Sequence, residues 1–100
     1  MKFLILHSEA KFEVAEAVGY YESQSKGLGI RFLSEAERVM RLIQANPNLV
    51  QRYKNTDFRR YNLRKFPLSI FYSEMEEVTW IISVAHNRRK PDYWVSRRIE

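Results

Sequence analysis

Residues 58–94 read FRRYNLRKFPLSIFYSEMEEVTWIISVAHNRRKPDYW, and this stretch decides the fold class. From Phe58 onward the apolar pattern has a period of two, the signature of extended chain with one face buried. Phe58 to Leu63 reads as one strand. Leu68 to Ser73 reads as the next, entered through Pro67, an acceptable residue at a strand start. Glu74 to Glu77 is a polar turn. Val78 to His86 is the longest strand, with Trp80, Ile82, Val84 and His86 expected on one face and Thr79, Ile81, Ser83 and Ala85 on the other. Three strands with short connections predict an antiparallel meander. Basic groups stand at one end of the apolar runs: Arg60, Arg64 and Lys65 in the first part, then Arg88, Arg89 and Lys90 after His86.

Upstream, the period changes to that of helices. Lys2 to Leu6 is a short apolar run, read as a buried strand. Ser8 is placed to cap a helix over residues 9–26, with Glu9 suited to its positive end. Ala10, Val14, Ala17, Val18 and Tyr21 form its apolar stripe, and Glu13, Glu16 and Glu22 are expected to lie away from it. Gly27-Leu28-Gly29 breaks the pattern. A second helix is predicted over residues 30–45, with Phe32, Ala36, Val39 and Ile43 in one row. It ends before Pro47, which disfavours helical geometry in the residue ahead of it. Residues 48–57 are polar and read as a loop. The expected fold is therefore α+β, in the order β-α-α-β-β-β: an antiparallel sheet of meander plus N-terminal strand, covered on one face by a helical hairpin. The basic residues are expected to gather on the other face. The tail from Pro91 to Glu100 fits either one helical turn or an irregular extension.

The chain has 100 residues, 45% of them apolar, which bounds it to one domain, residues 1–100, with one small core. It contains no cysteine, so disulfides and thiolate metal sites are excluded. No metal site or cofactor motif is expected: Gly27-Leu28-Gly29 lacks the lysine and the strand-to-helix setting of a phosphate loop. No segment reaches the roughly 18 apolar residues of a membrane span. The reading is a soluble cytoplasmic protein. The net charge of +5 is unevenly placed. Residues 1–50 hold six basic and six acidic side chains, whereas residues 51–100 hold eleven and six. Such asymmetry points to a polyanionic or acidic partner. The plainer alternative is a solvated basic face.

Several residues in the basic groups suit chemistry. Arg60 and Arg88 offer planar donor forks that match phosphate oxygens. His86, beside three cations, suits a neutral base able to take a proton from a ribose 2′-OH. Arg60, His86 and Arg88 are thus the candidate catalytic set. Arg64, Lys65, Arg89 and Lys90 are candidate contacts to a target or nucleic acid, and Tyr93 and Trp94 could stack on bases. The alternatives are a histidine that only ends a strand and a Trp94 that anchors the tail to the core.

The order of these motifs resembles the RelE/ParE superfamily of toxins. The resemblance is carried by Arg60, Leu63, Phe66-Pro67-Leu68, Ile70 and Tyr72, and then by Val84-Ala85-His86-Asn87-Arg88-Arg89-Lys90-Pro91-Asp92-Tyr93-Trp94. Tyr20-Tyr21-Glu22, Gly27-Leu28-Gly29, Phe32-Leu33 and Asn46-Pro47 extend it to the helical half. The resemblance implies the toxin of a type II toxin–antitoxin module that inhibits growth. ParE-like members poison DNA gyrase, and RelE-like members cleave messenger RNA on the ribosome. In the ribonuclease members, Arg60 would stand for a strand lysine, Arg88 for the arginine after the last strand, and Tyr93 or Trp94 for the C-terminal aromatic. Asn62 and Ser69 depart from that pattern, where a second lysine and an arginine would be expected. The expected function is therefore ParE-like poisoning of gyrase, with a ribosome-dependent endoribonuclease as the alternative and a non-catalytic basic binding domain as a third. The implied partners are an acidic antitoxin, partly disordered before binding, and gyrase or the ribosome with its mRNA.

Overall fold

A computed structural model describes residues 2–90 and 92–97. Its elements are β1 (Phe3–Leu6), α1 (Ser8–Gln24), α2 (Leu28–Ala45), β2 (Phe58–Asn62), β3 (Leu68–Glu74) and β4 (Val78–His86). The sheet order is β1-β4-β3-β2. β2, β3 and β4 form the expected antiparallel meander. β1, however, pairs with β4 in parallel, so the sheet is mixed and not wholly antiparallel.

The path of the helices explains the parallel pair. α1 brings Tyr21 to Phe66, at the β2–β3 turn, where the ring centres are 4.9 Å apart. α2 then returns, and Gln44 near its end donates from Nε2 to the Lys2 carbonyl at 3.0 Å. The chain therefore starts β2 at the end where β1 began, and two hairpins bring β4 into the same sense as β1. β1 is also not buried. It is an edge strand with Leu4 and Leu6 packed inward and Phe3, 72% exposed, and Ile5 outward.

Local chemistry sets the helix ends. His7, not Ser8, caps α1, its Nδ1 accepting the Glu9 amide at 3.1 Å. Gly27 has φ of +86°, the left-handed region that favours glycine. Glu22 accepts the Gly27 amide at 3.0 Å and the Gly29 amide at 3.1 Å, a carboxylate at the positive start of α2. At Gly29 the helices meet so closely that a Cβ would lie 2.6 Å from the Val18 carbonyl. Asn46 is extended, as a residue before proline should be, and its amide bonds Leu42 to finish α2.

The main core lies between the helices and one face of the sheet. Phe32, Ala36, Val39, Met40 and Ile43 of α2 and Ala10 of α1 pack on Ile70, Tyr72, Ile81 and Val84. The outer face is not an open basic surface, which corrects the expectation. Phe71, Ile82, Ala85 and Trp94 form a second cluster there, edged by Tyr53, Phe58, Trp80 and Tyr93. The described tail, residues 92–97, is a run of turns that folds over this face.

Strict alternation also fails in β4. Tyr72 faces Ile81 while Phe71 faces Ser83, so Ile82 is an extra residue. This bulge reverses which side chains face which layer. Ile81 and Val84 share the helix side, and Ile82 and Ala85 share the outer side. Among the described residues no helix is long and apolar enough to cross a membrane.

Candidate functional site

The end of β4 and the turn after it form a ridge. His86, Asn87, Arg88, Arg89 and Lys90 are all exposed there. The His86 carbonyl accepts the Arg89 amide at 3.0 Å, and the Asn87 amide bonds the Pro67 carbonyl at 2.9 Å, which ties the ridge to the start of β3. Two hollows flank it. A cleft of about 360 Å³ lies on the α1 side, walled by Ala17, Tyr20, Tyr21, Leu68 and Val84. A smaller hollow of about 100 Å³ lies on the tail side, bordered by Tyr53, Arg60, Phe71, Lys90 and Trp94. His86, Arg89 and Tyr93 line both.

The candidate catalytic residues are partly spent on one another and on the fold. Arg60 donates from Nε to Ser69 Oγ at 3.1 Å and from Nη2 to Asn87 Oδ1 at 3.3 Å. Its guanidinium also lies 5.9 Å from the Tyr53 ring centre and 5.6 Å from that of Phe71. Ser69 Oγ is in turn 2.6 Å from Asn62 Oδ1 and 2.7 Å from Asn87 Oδ1. Asn62 and Ser69 thus fill the place of two cations with a neutral network that holds Arg60. His86 Nδ1 accepts the Arg88 amide at 3.1 Å. A neutral ring with Nδ1 accepting carries its proton on Nε2, so its second nitrogen is a donor.

The other basic residues separate. Arg88 is exposed at the ridge and lines neither hollow. Arg89 stacks on Tyr93, 4.2 Å from the ring centre. Arg64 and Lys65 belong to the β2–β3 turn, and Lys65 faces α2 across a groove of about 310 Å³ with Ile30, Arg31, Arg38 and Phe66. Trp94 is 1% exposed, its ring 4.3 Å from Phe71 and 5.0 Å from Phe58, so it anchors the tail and has no free face for a base. Pro91 lies outside the described residues.

The residue that sequence reasoning missed is Glu13. It is 7% exposed and not on the solvent side of α1. Its carboxylate accepts Arg97 Nη1 at 2.9 Å and Nη2 at 2.8 Å, Ser83 Oγ at 3.1 Å, the Val84 amide at 3.0 Å and the Tyr93 hydroxyl. Burial pulls its pKa up, and the bonds from Arg97, Tyr93 and Val84 with the Arg97 charge outweigh it, so the group titrates below its ordinary value. Burial and Glu13 itself hold the Tyr93 phenol above the usual range. One signal was available: Glu13 stands three residues after Ala10 and four before Ala17, on the edge of the apolar stripe. Its partner, 84 residues away, gave no signal.

The family model for the ParE toxin of the type II toxin–antitoxin system, parDE, matches residues 4–91. The chain belongs to this family. The ParE match spans the helical hairpin, the sheet and the ridge together. Among solved structures, the ParE-family chain is similar to one described as "Chromosomal ParDE TA system from P. aeruginosa". The TM-score is 0.64 at 12% identity, covering 86% of this chain and 96% of that one. At that identity the likeness speaks for the fold. No curated protein matches the chain. The protein is thus a toxin of a type II toxin–antitoxin system, of the RelE/ParE superfamily.

Proposed function

We propose that this toxin stops growth by protein contact with DNA gyrase through the ridge from His86 to Lys90, and not by cutting RNA. The supporting observation is that two of the three candidate catalytic side chains, Arg60 and His86, already hold hydrogen bonds within the protein. A general base needs a free lone pair within hydrogen-bond reach of the proton it takes. His86 uses Nδ1 on the Arg88 amide, and Arg60 is held by Ser69 and Asn87. The side chains of Arg88 and Lys90, by contrast, make no hydrogen bond or ion pair among the described residues. They are cations on an exposed turn, suited to an acidic protein surface.

Purified gyrase tests this. Added toxin should inhibit supercoiling and trap cleaved DNA, and Arg88→Glu with Arg89→Glu should weaken the effect at least about tenfold. Full supercoiling at excess toxin would remove gyrase as the target. One observation favours the ribosome-dependent endoribonuclease as second reading: Arg60, His86, Arg89 and Lys90 border one small hollow. Primer extension on messenger RNA from induced cells would then show new ends, lost in His86→Ala.

The partner antitoxin should be acidic and should dock in the groove between α2 and the β2–β3 turn. Arg31, Arg38 and Lys65 line it, and among them only Arg38 is neutralised, by Glu35 at 3.0 Å. Ile30, 64% exposed, and Phe66 supply an apolar floor. An amphipathic segment with carboxylates beside an apolar row fits both features. Arg31→Glu with Lys65→Glu should abolish co-purification with the product of the neighbouring reading frame and leave toxicity intact. Undiminished co-purification would place the antitoxin elsewhere.

A further inference from the structure

We propose that Glu13 is the positioning residue of the ridge: through Tyr93 it holds Arg89 in the orientation in which the ridge meets its target. The target half of this rests on the ridge being the contact surface.

The geometry begins with the shortness of β1. Its side of β4 is paired only as far as Ile81, whose carbonyl accepts the His7 amide at 2.9 Å. Beyond that point β4 has a bare edge, and a buried edge must find partners. Glu13 takes the Val84 amide at 3.0 Å, and Arg97 Nη1 donates to the Ile82 carbonyl at 2.9 Å. Two side chains joined to each other thus do the work of a strand. They join α1, β4 and the tail at one point.

Tyr93 is fastened to that point by its hydroxyl. Its ring has Arg89 at 4.2 Å and Arg97 at 5.2 Å from its centre. Two guanidinium groups around one ring repel each other unless one is neutralised, and the Glu13 carboxylate neutralises Arg97. Arg89 is then free to rest on the electron-rich ring. With the hydroxyl released, the ring turns and Arg89 loses its support, although Trp94 still anchors the tail. The hydroxyl's bond to the carboxylate therefore sets where the ridge presents a cation, from a residue that stands 80 positions before Tyr93 in the chain.

Full-length protein labelled at arginine Nε would show this by NMR, alongside the inducer dose that halves growth. Tyr93→Phe keeps the ring and removes only the hydroxyl, and Glu13→Gln removes the charge. In both, the ring-current-shifted Nε–H signal of Arg89 should collapse towards that of an exposed arginine, and potency should fall roughly three- to tenfold. Arg89→Met should lose a similar factor, and adding either variant to it should lose no more, because they act through one contact. Arg64→Met, in the β2–β3 turn and lining neither hollow, should combine independently. An unmoved Arg89 signal in Tyr93→Phe overturns the proposal, whatever the toxicity. So does a full further loss in the double variants. If Arg89→Met is as toxic as the parent while the signal still moves, positioning stands and the ridge is overturned as the contact surface.

Discussion

Trp94→Ala should destabilise the domain by about 3–5 kcal/mol, a fall in Tm of roughly 15–30 °C at this size. The ring is 1% exposed and packs on Phe71, Phe58 and Tyr53, with centres 4.3, 5.0 and 6.0 Å away. It is the largest buried side chain of the outer cluster. The loss has two parts: the transfer of the indole to water and the cavity left among three aromatic rings. Thermal and urea unfolding followed by circular dichroism would measure it. The same experiment separates two roles for Trp94. A tryptophan kept for stacking on a base would leave Tm unchanged when removed. A tryptophan that closes the outer core cannot.

Glu13→Ala should cost about 3–5 kcal/mol as well, because it strands a charge. Arg97 would keep its guanidinium, largely buried, with its carboxylate gone, and the Val84 amide and Ser83 hydroxyl would lose their acceptor. The replacement of both members, Glu13→Leu with Arg97→Met, should recover much of the loss, since two apolar groups leave no unpaired charge. The pair also makes stability depend on pH with a definite sign. The folded Glu13 titrates below its ordinary value of 4.5. Its contribution is complete above that value and is lost as the pH falls through the folded pKa. The stability gap between the parent and Glu13→Gln should therefore narrow in acid. Asp92 and Glu35 also titrate low, held by hydrogen bonds from Lys54 and Arg38 respectively. Their partners are exposed, so added salt should flatten their share of the acid transition and leave that of Glu13. An unfolding series in urea from neutral to acid pH, at two salt concentrations, would resolve the two. A gap that widens in acid would overturn the assignment.

What could be read in the sequence was whatever repeats locally. The row Phe32, Ala36, Val39 and Ile43 is buried as its spacing requires, because a helix can hide only the side that recurs about every 3.6 residues. The bounds of β4 and the glycine break between the helices were legible for the same kind of reason, local dihedral preference. The candidate site was legible only in part. His86, Arg89 and Tyr93 do meet, because they are neighbours along one turn. Lys65 belongs to a different groove, although its charge made it look like part of the same cluster. The face parity of β4 was lost at Ile82, since one extra residue in a strand inverts everything after it.

The sequence by itself determined the element order, the rows that enter the main core and the basic character of the second half. These follow from side-chain period, from proline and glycine dihedrals and from summed charge, all of which act over a few residues. Only the tertiary structure decided the parallel pairing of β1, the burial of Trp94 over the outer face, the neutral network that takes up Arg60 and the Glu13–Arg97 pair. Each joins residues far apart in the chain. The free energy of such a contact depends on what it displaces: water, an open strand edge or another charge. That environment exists only once the sheet, the helices and the tail have come together.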